Sequence, residues 1–183
     1  MTVGIREAYR RALDGCAAQV QRVGPGQWRD PTPCSGWDVR TLVNHLVQEC
    51  LFVPELLSGR SVAEVGDLFE GDLLGDDPVK AFDVAAAAAV RATAPPDVLG
   101  RVVRLSFGDV PCEEYLTELF ADALIHTWDV ATAVGRPVRL DPELVRLCTE
   151  WFAGAEADDT QALGEHPGTD PLTRLLAAWG RHG

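Results

Sequence analysis

Lysine is almost missing from this chain. Lys80 is the only one among 183 residues, and arginine supplies the rest of the positive charge. The balance is acidic, with a formal net charge of −12. No stretch concentrates basic residues as counterion release from a phosphate backbone requires, which argues against nucleic acid and against an anionic membrane as partners. No apolar run reaches the length of about 18 residues that marks a bilayer-spanning helix. The first twenty residues mix charged with apolar positions and lack the continuous apolar core of a secretory signal, which predicts a cytoplasmic protein. Cysteine-pairing signals are absent as well. Cys16, Cys34, Cys50, Cys112 and Cys148 are odd in number, widely spaced and free of any Cys-x-x-Cys pair. That excludes a disulfide framework and a zinc knuckle, and leaves small buried hydrophobes as the expected role. The chain is long enough to bury a full core without such staples. Its arginine-for-lysine usage and abundant alanine often accompany GC-rich coding, as in actinobacteria.

What is present is helical patterning. Ile5, Ala8, Tyr9, Ala12, Leu13, Cys16, Val20 and Val23 follow a 3.6-residue period, and Gly24-Pro25-Gly26 ends the segment. Ser35, with Asp38 three residues on, reads as a capping box for a second helix through Val39, Leu42, Val43, Leu46, Val47, Cys50 and Leu51. Pro54 should kink or shorten that helix, and Ser58-Gly59 closes it. Residues 59–77 read as a long connection with one helical turn. Asp77-Pro78 starts a third helix through the Ala85–Ala89 run, and Pro95-Pro96 stops it. Arg101–Phe107 is the one candidate for a strand or hairpin, although no partner strand suggests itself. The clearest helix runs from Cys112 to Val134, with Glu113 and Glu114 at its positive end. Asp141-Pro142 caps a fifth helix, a loop carrying Gly154, Gly164 and Gly168 follows, and Asp170-Pro171 starts a last one, Leu172–Trp179. The expectation is an all-α, four-helix bundle over about residues 3–135 with a C-terminal extension over 136–183, all one domain.

Two of the four histidines, His45 and His126, sit inside helices; His166 and His182 fall in a Gly-rich loop and the tail. Residues four apart share a helix face, so Asp122 and His126 can present an oxygen and a nitrogen together, with Glu118 one turn back. On the second helix Asp38, Leu42, His45, Glu49 and Phe52 form one stripe. If the two stripes face each other, His45, Asp122 and His126 make a set suited to Zn²⁺, Ni²⁺ or Fe²⁺ with an open coordination position. Glu49, Glu118 and Asp129 are the candidates to accept from the other ring nitrogens. By spacing alone, a satisfied core histidine or a surface acid–His pair is the commoner origin of these patterns than a metal site. Trp37 and Trp128 flank the two blocks, where anchoring the core is the favoured role over lining a pocket. Cys34 has no neighbour in sequence that would activate a thiol.

Thr32-Pro33-Cys34-Ser35-Gly36-Trp37-Asp38-Val39-Arg40 and Val43-Asn44-His45-Leu46-Val47 resemble the metal-binding domain of the mycothiol-dependent maleylpyruvate isomerase family, within the DinB-like superfamily of four-helix bundles. Leu73–Pro78, Asp122–Ala131 and Asp170–Leu176 resemble its later blocks. The resemblance implies a three-residue metal site that falls on His45, Asp122 and His126. Many members carry Glu or His where this chain has Asp122, a shorter arm that bears on metal affinity and identity. It further implies a low-molecular-weight thiol, mycothiol in actinobacteria, acting on a small electrophile as a transferase or isomerase. The isomerase itself resembles a longer protein with an additional C-terminal domain, which argues against maleylpyruvate as the substrate here. Two other expectations stand beside it: a thiol-independent metal-dependent hydrolase or biosynthetic cyclase, and a non-enzymatic metal-binding stress protein. A homodimer through an outer helix face would suit such a bundle.

Overall fold

The computed structural model describes residues 3–156 and 170–181. Four long helices surround the core: α1 (Ile5–Val20), α2 (Val39–Leu57), α4 (Pro78–Ala92) and α5 (Cys112–Ala133), with the single turn α3 (Val62–Val65) in the connection after α2. Going round the bundle, α1 lies on α5, α5 on α2, α2 on α4, and α4 back on α1. This closed ring is why the apolar stripes are so nearly complete. α1 buries Ala8, Tyr9, Ala12, Leu13, Cys16 and Val20, the positions its period selects. α5 is buried on most sides, as the helix in the middle of the packing must be. Among the described residues no helix is long and apolar enough to cross a membrane.

The start of α2 differs from the expected capping box. Asp38, not Ser35, is the cap, its Oδ1 accepting from the Thr41 amide at 2.8 Å. Ser35 and Gly36 belong to the preceding turn, where the Trp37 amide donates to the Cys34 carbonyl at 3.0 Å and Gly36 takes a φ of +82°. That turn lays Cys34 and Trp37 over one side of the bundle. Pro54 is carried inside α2, which continues to Leu57 before Ser58 and Gly59 close it. Asp77 caps α4 with Pro78 in its first turn, as expected.

The strand candidate is half of a hairpin. β1 (Val102–Arg104) pairs antiparallel with β2 (Asp109–Pro111), Val103 opposite Val110. Asp109-Val110-Pro111 carries one apolar residue and runs straight into α5, so no period-2 pattern marks it. In the C-terminal part, α6 (Pro142–Glu156) is fastened to α1 by Arg11, which bonds Asp141 and, at 2.9 Å, Glu143. Gly154 lies within α6 rather than in a loop. Gly164, Gly168, His166 and His182 lie outside the described residues. α7 (Pro171–Ala178) packs on α6, and Trp151, Phe152 and Trp179 stack edge to face at 4.8 and 5.5 Å.

Candidate metal centre

α2 and α5 bring His45 and the Asp122–His126 pair together on the inside of the bundle. The i,i+4 spacing on α5 sets His126 Nε2 3.1 Å from Asp122 Oδ1, and His45 Nε2 reaches Asp122 Oδ2 at 3.3 Å from the other helix. One ligand atom from each residue lies within 4.8 Å of the others. The rings of His45 and His126 meet edge to face at 5.4 Å. Trp37 covers them, its ring 5.1 Å from that of His45 and 6.3 Å from that of His126. Trp37 therefore both packs on the core and roofs the site, while Trp128 is simply packed against the core.

The second nitrogen of His126 has its own partner. Nδ1 lies 2.8 Å from Asp129 Oδ2, one of the three acceptors anticipated from sequence. Asp129 is completely buried, and Arg181, beyond α7, donates to both of its oxygens at 3.0 and 2.8 Å. Such a fork fixes the carboxylate and, through it, the imidazole plane. Glu49 and Glu118, the other two, instead line the cavity beside the triad.

Electrostatics follow from this crowding. A carboxylate only accepts, so with Asp122 at one nitrogen and Asp129 at the other the His126 ring donates from both and is an imidazolium. Burial works against that charge, but the hydrogen bonds to Asp122, Asp129 and Cys34 outweigh it and push the His126 pKa up to about 11. Burial likewise opposes ionisation of Asp122, and the bonds from His126 and His45 still hold its carboxyl far below the usual range. Asp129 behaves the same way, burial being overcome by His126 and Arg181.

A second set of ligand-type atoms shares His126: Cys34, His126 and Asp129 also lie within 4.8 Å of one another. Cys34 Sγ is 3.2 Å from Asp129 Oδ2 and 3.0 Å from Arg181 Nη2. Sequence had placed nothing beside Cys34; the fold sets His126, Asp129 and Arg181 around it. The resident guanidinium separates the two sets. A divalent ion on the Nδ1 side would sit against Arg181, whereas among the described residues no arginine or lysine lines the cavity on the Nε2 side. The donor set that fits a metal is therefore His45, Asp122 and His126. The other four cysteines, Cys16, Cys50, Cys112 and Cys148, are buried, as expected of small hydrophobes.

Beside the triad opens a cavity of about 400 Å³. His45, Asp122, Glu49 and Glu118 form its polar side, and Phe52, Leu56, Leu119 and Trp179 its apolar walls. Its size suits a small molecule.

A helical bundle with a facing His/Asp–His set and an adjoining pocket defines the class. The chain belongs to the family of the mycothiol maleylpyruvate isomerase N-terminal domain, whose model matches residues 9–131. It is 35% identical over 180 residues to the uncharacterized proteins Rv0738 and MT0763 of Mycobacterium tuberculosis, covering 92% of this chain and 94% of each relative. Its fold is similar to the crystal structures of the mycothiol-dependent maleylpyruvate isomerase (TM-score 0.68, 15% identity) and of a mutant of that enzyme (TM-score 0.69, 14% identity). Both matches cover 97% of this chain and 88% of the solved one. The difference in length expected to set this chain apart from the isomerase is thus small, and the similarity extends past the bundle into α6 and α7.

Proposed function

We propose that the protein is a metal-dependent thiol transferase or isomerase, with Zn²⁺ held by His45, Asp122 and His126 and a low-molecular-weight thiol such as mycothiol as co-substrate. The observation that carries this is the Asp122 carboxylate set between two imidazole Nε2 atoms at 3.1 and 3.3 Å, next to a cavity large enough for a small substrate. Family membership supports the thiol, since the solved relative is by name mycothiol-dependent. Two imidazoles and a carboxylate suit Zn²⁺ by ligand type, with Ni²⁺ and Fe²⁺ as the alternatives. When bound, the metal would supply a low thiol pKa, so that the nucleophilic thiolate is available at neutral pH.

The protein's own groups do the remaining work. Asp129, held by Arg181, keeps one proton of His126 on Nδ1, so that the Nε2 proton is the one a metal would displace. Trp37 excludes water from above the two rings. Glu49 and Glu118 stand on the cavity wall with carboxyls raised by burial, placed to take up or return a proton during addition and elimination. A small electrophile enters along Phe52, Leu56 and Leu119.

The test is thiol transfer from mycothiol to a generic electrophile such as monobromobimane by zinc-loaded protein. Turnover that disappears in His126→Ala supports the proposal. Full turnover in that variant, or equal turnover with the thiol omitted, refutes it and points to the thiol-independent hydrolase or cyclase.

A further inference from the structure

The cavity beside the triad has a direction. Along α2 its wall is formed turn by turn by His45, Glu49, Phe52 and Leu56, while the facing stretch of α5 runs back from Asp122 through Glu118 and Leu119. At the helical rise, His45 and Leu56 stand about 16 Å apart along α2. Every carboxylate and imidazole on the wall lies within about one turn of the triad. The far end is made by Phe52, Leu56, Leu119, Val62 and Leu105, none of which carries a polar side-chain atom. Tyr115 and Trp179 complete the lining; the hydroxyl of one and the indole nitrogen of the other are buried away from it, so both present carbon.

That far end is a built wall. Val62 belongs to α3 and Leu105 follows β1, and the two segments meet in a bridge between Ser61 and Arg104. Arg101 Nη1 donates to the Leu57 carbonyl at 3.0 Å, and Arg104 donates to the Gly59 carbonyl. These two bonds fasten the hairpin to the end of α2 and the turn after it. Phe52 is backed edge to face by Phe69 at 5.4 Å, and Gln48 Nε2 holds Phe69 by donating to its carbonyl at 2.9 Å. None of these contacts touches the triad; together they set the depth of the cavity. A group that fills this end gains in proportion to the apolar area it removes from water, whereas a hydroxyl or a charge there meets no partner.

We infer that the cavity takes a substrate whose electrophilic carbon lies at the triad and whose hydrocarbon tail runs to Val62 and Leu105, 2-alkenals of medium chain length being the simplest members of the class. This names the electrophile of the proposed thiol transfer and rests on that reading. The reaction needs no further reagent. The thiol sulfur bonds the β-carbon, the π pair of the double bond moves to the α-carbon, and the proton given up by the thiol ends there.

Alkanols, which cannot react with a thiol, read the binding apart from the chemistry. Butanol, hexanol and octanol are titrated into chelator-treated and zinc-loaded protein and followed by the amide resonances of Leu105 and Leu119. Affinity should rise about fourfold for each methylene buried. Octane-1,8-diol, with a hydroxyl at its far end, should bind at least about tenfold more weakly than octanol. Leu105→Trp, which fills the far end, should cut the octanol-to-butanol affinity ratio at least about tenfold, its fold being checked by the amide spectrum. With mycothiol and zinc-loaded protein, kcat/KM should climb from 2-butenal through 2-hexenal to 2-octenal. An affinity that does not grow with chain length overturns the inference, as does a diol that binds as well as octanol or a ratio that Leu105→Trp leaves unchanged. A flat kcat/KM across the alkenals overturns it too. Graded alkanol binding in a protein that holds no zinc, or that turns over no alkenal, leaves the ligand class standing and removes the metal-dependent thiol transfer. Zinc-dependent turnover of monobromobimane beside a flat alkanol series does the reverse.

Discussion

The two edges of the His126 ring meet almost the same chemistry and serve different ends. On the Nε2 edge stand a carboxylate, Asp122, and a second imidazole, His45; on the Nδ1 edge stand a carboxylate, Asp129, and a thiol, Cys34. Either edge has the donor atoms to hold a metal. Arg181 decides between them by occupying the Nδ1 edge with a fixed positive charge that bonds both Asp129 oxygens and Cys34. The general lesson is that ligand atoms alone do not define a metal site. On the proposed reading, a resident cation turns one constellation into a support for the other.

The comparison breaks most readily at Asp122. Asp122→Asn should lower zinc affinity more than about 100-fold, since it removes the carboxylate both histidines meet. Asp122→Glu, with the longer arm many relatives carry, should stay within about tenfold of the natural protein. Competition against a chromophoric chelator measures both.

Arg181→Gln sharpens the contrast. It frees Asp129 and Cys34, so zinc affinity at the triad should fall about 10- to 100-fold, the usual cost of losing a supporting partner. A second, weaker equivalent should appear on the Nδ1 edge. Cobalt substitution reads it out, because only that edge offers a sulfur and hence a thiolate-to-metal charge-transfer band.

A smaller effect follows from protonation. In chelator-treated protein the His126 pKa is pushed up to about 11, so zinc must displace its Nε2 proton at any working pH below that. Apparent zinc affinity should rise about tenfold per pH unit between pH 6 and 8, with close to one proton released on binding, as calorimetry in buffers of different ionisation enthalpy would show. A pH-independent affinity would contradict the imidazolium assignment.

The smallest effect lies outside the site. Arg11→Ala should lower stability only slightly, because its pairs with Asp141 and Glu143 are partly exposed. Burial opposes ionisation of Asp141, but the bond from Arg11 wins and lowers its pKa. The contribution is therefore present above the ordinary aspartate pKa of about 3.9 and is lost as pH falls below it. Thermal melts of both proteins should differ at pH 7 and converge near pH 3.

Most of the bundle was legible because burial follows period in α1, α2, α4 and α5, and because Asp77-Pro78 and Asp141-Pro142 mark helix starts by local chemistry. The hairpin partner was not, since Asp109–Pro111 is too short and too polar to show a strand pattern. The cap of α2 was misplaced because Ser35 and Asp38 can both cap; the Gly36 turn favours the second. At the centre, the i,i+4 pair on α5 and the stripe through His45 already suggested the triad, and Asp129 was among its candidate supports. Arg181 and Cys34 left no such trace. They lie 52 and 95 residues from their shared partner Asp129, and only the packing of the C-terminal segment and of the Cys34–Trp37 turn brings them in.

The most direct test of the two-edge account is elemental analysis of purified, untagged protein beside His45→Ala and Cys34→Ser. The account predicts about one equivalent of zinc or nickel in the natural protein and in Cys34→Ser, and none in His45→Ala. Metal retained in His45→Ala and lost in Cys34→Ser would put the ion on the Nδ1 edge and contradict it.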